Sequence, residues 1–433
     1  MQSKLKRFSN FSNAISTTSE VFRPEDEEEL SLILQTQHHG GILARGSGLS
    51  YSDCCVNHQG KIIDTTRLNH ILSFDPTTGI AVCQSAVLFR DLFLLSNAFI
   101  PPIIPGTLFS TIAGGVANDV HGKNNPHMGS LGHHIEWINL ELNHQTLKIS
   151  PLEHPELFHA TIAGLGLTGV IKHVALRLTK ASHYVLKKNQ KFTSLTALLE
   201  YMQHEGLSND YQVAWLDLLN TPRALLSTAS HIEPNPSKLN KTSLNFRPTV
   251  PKLPIRFITP FAMKQFNRLY FKHVSTKPTS MPLWAFNNPL DAINQWNRIY
   301  GKQGLVQFQA VFSSKDAITT INSLLALIRS HNASPLLAVL KYFTQKGKGL
   351  LSFAEPGFTL AIDFIHDTKA RLAIMAMNQL ITRLGGKVYL AKDLFLEHEQ
   401  FKNMYPEHEV FNTLLTSIHR PASSDIYQRL IKK

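Results

Sequence analysis

The sequence predicts an α+β protein of two domains. Three observations carry this. The chain has 433 residues, more than a single small module needs. Residues 1–182 alternate short strand and helix patterns with glycine-rich turns. From about residue 183 the texture changes to longer helices and strands with fewer glycines. The first domain is therefore placed at 1–182 and the second at 183–386.

In order along the chain, 25–38 has helical apolar spacing through Leu30, Ile33 and Leu34, and 41–44 is a short strand. Strands follow at 61–64 and 80–85, then a helix over 87–98 and an extended turn forced by the prolines after residue 100. A hairpin is read over 134–143 and 146–150, a short helix over 155–162 and a strand over 170–178. In the second domain, helices are expected over 194–205, 317–329 and 369–384, the last stopped by Gly385 and Gly386. Strands are expected over 212–219, 305–312, 336–342 and 359–364.

Composition narrows the function. With 43% hydrophobic and 17% charged residues, the chain can bury a substantial core, which excludes wholesale disorder. No apolar run reaches 18 residues, so no spanning helix is expected. The N-terminal twenty residues are basic without the apolar run of a secretory signal. Cys54, Cys55 and Cys83 form no C-x-x-C pair, and a reducing cytoplasmic setting is expected. His121, His127, His133 and His134 lack a carboxylate or thiolate cluster at ligand spacing, so no metal is expected.

The net charge is +12, and it is concentrated. Between Pro234 and Leu290 there is no acid, while Lys238, Lys241, Arg247, Lys252, Arg256, Lys264, Arg268, Lys272 and Lys277 are basic. The proline-rich stretch 234–282 reads as an insert or mobile loop in the second domain, with 263–271 as a short amphipathic helix. Such a local basic strip implies an anionic partner. Its interleaved phenylalanines and leucines suit an anionic lipid surface. No base-stacking or groove-reading motif is present, so nucleic acid is not an expected partner.

Three glycine-rich segments carry the chemistry: ARGSGLSYSD (44–53), PGTLFSTIAGGVANDVHGKNNPHMGSLG (105–132) and AGLGLTGVI (163–171). The first suits a diphosphate, because consecutive small residues let backbone N–H groups converge. The third matches G-x-G-x-x-G, but a helix precedes it and a strand follows. That order is the reverse of a dinucleotide fingerprint, and a Rossmann assignment is rejected.

In this order and spacing the three segments resemble FAD-binding oxidoreductases of the vanillyl-alcohol oxidase type. Together with VYLAKD (388–393), QWNRIYG (295–301), VQFQAVF (306–312), LAVLK (337–341) and PGFTLAIDF (356–364), the chain is most similar to the decaprenylphosphoryl-β-D-ribose 2′-oxidases of that family. The resemblance implies a two-domain PCMH-type FAD-binding fold, an α/β substrate domain with an antiparallel sheet flanked by helices, and a segment 387–433 that returns to the FAD domain. It implies FAD as cofactor. Arg45, Gly46, Ser47, Gly48, Leu49, Ser50 and Tyr51 would cradle the diphosphate. Gly106, Thr107, Thr111, Gly114, Gly115, Asn118, His121 and Gly122 would line the flavin, with Gly169, Val170 and Tyr389 completing the site. Leu49 stands where several relatives tether FAD through a histidine, so a non-covalent flavin is expected.

The implied activity is oxidation of the 2′-hydroxyl of a polyprenyl-phosphoryl ribose or related pentose, the first half of an epimerisation serving cell-envelope glycan synthesis. A separate NAD(P)H-dependent short-chain reductase would complete the epimerisation, and the enzyme would sit peripherally on the inner face of the cytoplasmic membrane. Lys392, with Tyr51, would handle the hydroxyl proton. His121, Lys123, Gln307, Gln309 and Lys341 would hold the substrate. Gln307 and Gln309 lie at i, i+2 on a strand and so share a face, and lysines suit phosphate as point charges. The sequence departs from the family at Thr359 and Ala361, where mycobacterial-type enzymes carry Asn and Cys. The competing readings are a soluble alditol or aldonolactone oxidase of the same fold using dioxygen, and a basic lipid- or RNA-binding protein on a degenerate flavin scaffold.

Overall fold

A computed structural model describes residues 3–36, 41–143, 145–220, 223–233, 247–252, 258–418 and 423–432. The first 180 residues form two sheets and a short ribbon. Strands β1 (Lys4–Ser9), β2 (Ser16–Phe22), β3 (Ile42–Arg45) and β4 (Lys61–Asp64) lie in the order β1-β2-β4-β3, with β4 parallel to both β2 and β3. Strands β5 (Ile71–Asp75), β6 (Ile80–Gln84), β8 (Ile135–Leu142), β9 (Gln145–Ile149) and β10 (Val170–Arg177) make an antiparallel sheet ordered β5-β6-β10-β8-β9. Strand β7 (Phe99–Ile100) pairs with β11 (Thr179–Lys180).

The rest of the strands build one antiparallel sheet of eight. They are β12 (Tyr184–Phe192), β13 (Tyr211–Asp217), β14 (Arg223–His231), β15 (Thr279–Pro282), β16 (Leu305–Phe312), β17 (Pro335–Phe343), β18 (Gly357–Ile365) and β19 (Lys387–Val388), ordered β15-β12-β14-β13-β17-β18-β16-β19. One face carries Ala214, Phe308, Leu340, Leu360 and Ile362 into a core shared with Leu198, Ile321, Leu324, Ile374 and Met377 of three helices, Leu195–Gln203, Ala317–Ser330 and Thr368–Arg383. Strand alternation places the opposite set of side chains on the other face.

Local chemistry sets the element ends. Asp367 caps helix Thr368–Arg383 by accepting from the Ala370 N–H at 2.8 Å, and Gly385 leaves it at φ +68°. The expected helix over 87–98 is only Phe89–Leu94. Leu88 is held extended by a bridge to Thr111, and Phe99–Ile100 is drawn into the ribbon, so pairing at both ends overrides helical spacing. Helix Pro155–Thr161 precedes the third glycine segment and β10 follows it.

Of the stretch 234–282, read as an insert or mobile loop with a short helix over 263–271, the mobile alternative does not hold for the described residues 260–282, and the helix is present. The described part of the stretch contains the 14-residue helix Pro260–His273 and β15, which pairs with β12. Lys238, Lys241 and Arg256 lie outside the described residues. Among the described residues no helix is long and apolar enough to cross a membrane.

Beyond β19, helices His398–Met404 and His408–Ser417 lead to a final turn, Tyr427–Ile431. There Arg429 grips Asp53 through two 2.8 Å bonds and Asp393 through a third at 2.8 Å, with Nη1 also donating to the Leu396 carbonyl at 2.7 Å. Both carboxylates are buried. Replacing Arg429 by alanine leaves two buried carboxylates without their cation, so Arg429→Ala is expected to destabilise the fold by about 3 kcal/mol. Denaturant unfolding of the flavin-free protein measures this, and a loss below about 1 kcal/mol would show that the bridge is not structural.

Candidate active site

The site grows from the face of the large sheet that the helices leave free. Across β16, β18 and β17, Gln307 is in register with Asp363, Gln309 with Ala361, and Thr359 with Lys341. These polar groups therefore share one face. The segment after β19 closes over it: the Tyr389 N–H donates to the Gln309 carbonyl at 2.9 Å, and the Lys392 N–H to the Tyr389 carbonyl at 2.9 Å. From the other side arrives the first glycine loop. The Ala391 carbonyl accepts the Tyr51 N–H at 3.1 Å, the Ser52 N–H at 3.3 Å and the Ser50 hydroxyl at 2.7 Å. Residues 341 positions apart in sequence are thus fastened at one oxygen.

Here Lys392, Tyr51, Gln307, Gln309, Lys341, His121 and Lys123 come together. Lys392 Nζ stands 3.4 Å over the Tyr51 ring, a cation–π contact. Gln309 donates to His121 Nε2 at 3.1 Å and to the Thr359 hydroxyl at 3.3 Å. Phe343, Phe353 and Tyr389 surround the His121 ring, with centroids at 4.9, 5.5 and 5.1 Å. Lys123 Nζ donates to the Phe286 carbonyl at 2.6 Å and lies 4.7 Å from that ring's centroid.

Burial governs the protonation states. It pushes Lys123 down to about 7, helped by Lys341 and Lys187, and Lys341 down to about 8. Burial also lowers Lys392, with Asp363 opposing and Lys341 adding to the shift. Burial raises Asp363 against its hydrogen bond from Gln307 and the charge of Lys392. His121 is held well below its ordinary value by burial, Lys341 and Lys392, and so stays neutral. With Nε2 accepting from Gln309, its proton sits on Nδ1, which is buried and has no partner among the described residues. Burial, then Asp363, Tyr300 and Asp291, holds the Tyr51 phenol protonated.

Two members of this group have no counterpart among the candidates read from sequence. Asp363 lies within PGFTLAIDF, and its signal is an acid inside an apolar strand. Lys187 lies on β12, opposite Ala229, which is itself opposite Tyr211. Its charge presses on Lys123.

The glycine segments form the adjoining cradle. Among the described residues, the backbone N–H groups of 46–50 donate to no protein acceptor. A side chain at Gly46 would strike the Thr111 hydroxyl, and Gly48 sits at φ +65°. Thr111 caps helix Ile112–Ala117 by accepting from Gly114 N–H at 3.2 Å, and the Asn118 amide donates to the Gly114 carbonyl at 2.9 Å. The Tyr389 hydroxyl donates to the Asn118 carbonyl at 3.0 Å. Ser47 and Leu49 are half-buried, Thr107 bonds Asp291, and Gly106 is open to solvent.

Other expected members of the cradle lie behind it. The Arg45 guanidinium is occupied by the Cys55 and Ser9 carbonyls and the Phe8 ring, so it stiffens the loop. Gly115 packs against Phe89, Gly122 against Asn124 and Gly169 against Leu140, while Val170 is in an apolar cluster with Phe22 and Leu30.

This donor set fits FAD: free N–H groups from a loop with no room for a side chain at Gly46 or Gly48 suit a diphosphate, and the unpartnered Nδ1 is placed to meet an acceptor. Leu49 offers no atom for a covalent bond to it.

Comparison with known proteins agrees. Residues 18–145 match the family described as FAD binding domain. The chain is 29% identical to decaprenylphosphoryl-beta-D-ribose oxidase of Mycolicibacterium smegmatis, over 98% of this chain and 97% of that protein. It is 25% identical to D-arabinono-1,4-lactone oxidase of Candida albicans, over 50% of this chain and 42% of that protein. A putative D-arabinono-1,4-lactone oxidase of Neurospora crassa is 25% identical over 49% of this chain and 38% of its own length. The chain thus carries a PCMH-type FAD-binding domain and is an FAD-dependent oxidoreductase.

Proposed function

We propose that the enzyme oxidises the 2′-hydroxyl of a polyprenyl-phosphoryl-β-D-ribose, or a related pentose, to the 2′-keto sugar. The observation that carries this reading is the cluster of half-buried lysines Lys123, Lys187, Lys341 and Lys392 against one buried carboxylate, Asp363. Such an excess of half-buried cations suits an anionic substrate. The likeness to the mycobacterial oxidase runs through all of these elements, whereas the lactone oxidases match only about half of the chain.

FAD, held by the loop 46–50 and the segment around Asn118, would supply the acceptor for the hydride of the carbinol carbon. Lys392, lowered by burial, accepts the hydroxyl proton as a neutral amine. Asp363 positions that amine and takes part in its charge balance. The Tyr51 ring supports the ammonium that results, and its protonated phenol is a donor for sugar oxygens. Lys123 and Lys341 hold the phosphate as cations, and Gln307 and Gln309 line the sugar. The 2′-keto product then needs hydride from a separate NAD(P)H-dependent reductase to give the arabinose form, and an external acceptor must reoxidise the flavin.

Anaerobic visible spectroscopy is the direct test. The yellow protein should bleach on addition of polyprenyl-phosphoryl ribose. Bleaching only with a free aldonolactone or alditol would transfer the enzyme to the carbohydrate-oxidase reading. Acid precipitation should release all flavin into the supernatant as FAD, and flavin retained on the denatured chain would contradict the argument from Leu49.

The pH dependence has a definite sign. Lys392 must be neutral, so kcat rises with pH and levels off well below 10.5, the ordinary lysine value. Lys123 and Lys341 must be charged, so KM rises as pH passes through about 7 to 8. The profile of kcat/KM is therefore a bell. Lys392→Met should retain flavin and lose at least roughly 100-fold in kcat. Near-normal turnover in that variant would remove Lys392 from the proton step.

A further inference from the structure

Helix Pro260–His273 displays an apolar surface that is left exposed among the described residues. Phe261, Phe266 and Leu269 are 73%, 55% and 59% exposed. Lys264, Arg268 and Lys272 follow at intervals of four, which places them in a single row along one flank of that surface. The helix is not loose. Asn267, buried on its inner side, donates to Asp217 at 2.9 Å, and the Lys264 carbonyl accepts from Asn220 at 3.3 Å. Lys191 Nζ donates to the Lys272 carbonyl at 3.0 Å.

Its inner side also meets the site. Tyr270 stands edge-on to Trp215 at 5.2 Å. Trp215 is in register with Val339, and Val339 with Ala361, which faces Gln309. Met263 packs on the apolar cluster that contains Tyr51 and Tyr300. One helix therefore has its inner side at the rim of the active site and its outer side in solvent.

We propose that this helix seats the enzyme on an anionic bilayer. Phe261, Phe266 and Leu269 enter the interfacial layer, and Lys264, Arg268 and Lys272 lie on headgroup phosphates. Charge complementarity selects this occupant. No acid occurs between Pro234 and Leu290, and the whole chain is at +12, so a second copy would meet this face with repulsion. The inference rests on the lipid-linked reading of the substrate and extends it: a sugar carried on a membrane-embedded tail reaches Lys392 only if the rim of the site faces the membrane.

Flotation of the flavin-loaded full chain tests this. The probes are vesicles of phosphatidylglycerol with phosphatidylcholine, and vesicles of phosphatidylcholine alone. The protein should float with the anionic vesicles only. Lys264→Gln/Arg268→Gln/Lys272→Gln should weaken partitioning roughly 100-fold, since each cation near an anionic surface contributes about fivefold. Phe261→Ser/Leu269→Ser should also abolish flotation, and both variants should still be bleached by substrate in detergent. Equal binding to both vesicle types, or flotation unchanged in both variants, would overturn the proposal. A protein that floats but is not bleached by the polyprenyl sugar would retain the docking surface and lose the substrate assignment. One bleached in detergent that never floats would do the reverse.

Discussion

The site depends on a single cation at the end of the chain. Arg429 bridges Asp53, which follows the first glycine loop, and Asp393, which follows Lys392. Two buried carboxylates so close together are tolerable only with a charge between them, and the planar guanidinium fork satisfies both at once. The consequence is felt at the neighbouring residues. Tyr51 and Lys392 stand two and one positions away from these carboxylates, and the 3.4 Å contact between the ring and Lys392 Nζ lies between the two segments that the clasp joins. The Ala391 carbonyl reinforces it with three hydrogen bonds from residues 50–52. Neither segment brings Tyr51 and Lys392 together alone.

A second constraint follows from the antiparallel sheet. Its helix-covered face satisfies the hydrophobic requirement for folding, so the opposite face is free to carry polar groups. What gathers against it is poorly balanced: Lys187 and Lys341 of the sheet, with Lys123, Lys392 and a neutral His121 from the segments that close over it, near one carboxylate. Burial without enough counter-charge disfavours the ammonium form, and this is why Lys123 falls to about 7 and Lys341 to about 8. An unbalanced buried cluster costs stability, and such costs concentrate where binding and catalysis need them. The same lysines would regain their charge with an anion in place.

How much of this was legible in the sequence depended on the range of the interaction. The strand over 305–312 and the helix at 369–384 show their periodicity locally, and the structure places them within a residue or two. Strands β12 and β14 escape such a reading because YVLKKNQKF and RALLSTASH mix polar residues into both halves of the pattern. Strand β1 is exposed along most of its length and has little apolar signal. Among site residues, Lys392, Lys341, Gln307 and Gln309 were found through motifs, and geometry brings them together. Asp363 looks like an ordinary polar position on an alternating strand until the register sets it beside Gln307. Arg429 has no local signal at all, since its partner Asp53 is 376 positions away.

The departures on β18 show how local chemistry can be rewritten without disturbing this frame. Thr359 keeps a hydroxyl where it accepts from Gln309, so the amide remains shared with His121 and its direction is preserved. Ala361 faces Gln309 across one strand and Val339 across the other, and its single methyl removes bulk from the wall between them. A smaller residue there enlarges the space beside Gln309 and leaves no thiol to react. The groups proposed to handle the proton sit one register step further along, at Asp363, and on the separate segment bearing Lys392. On the proposed roles, substrate shape is set on β18 while the proton-accepting lysine sits on another segment, so the first can change while the second is held by the Arg429 clasp.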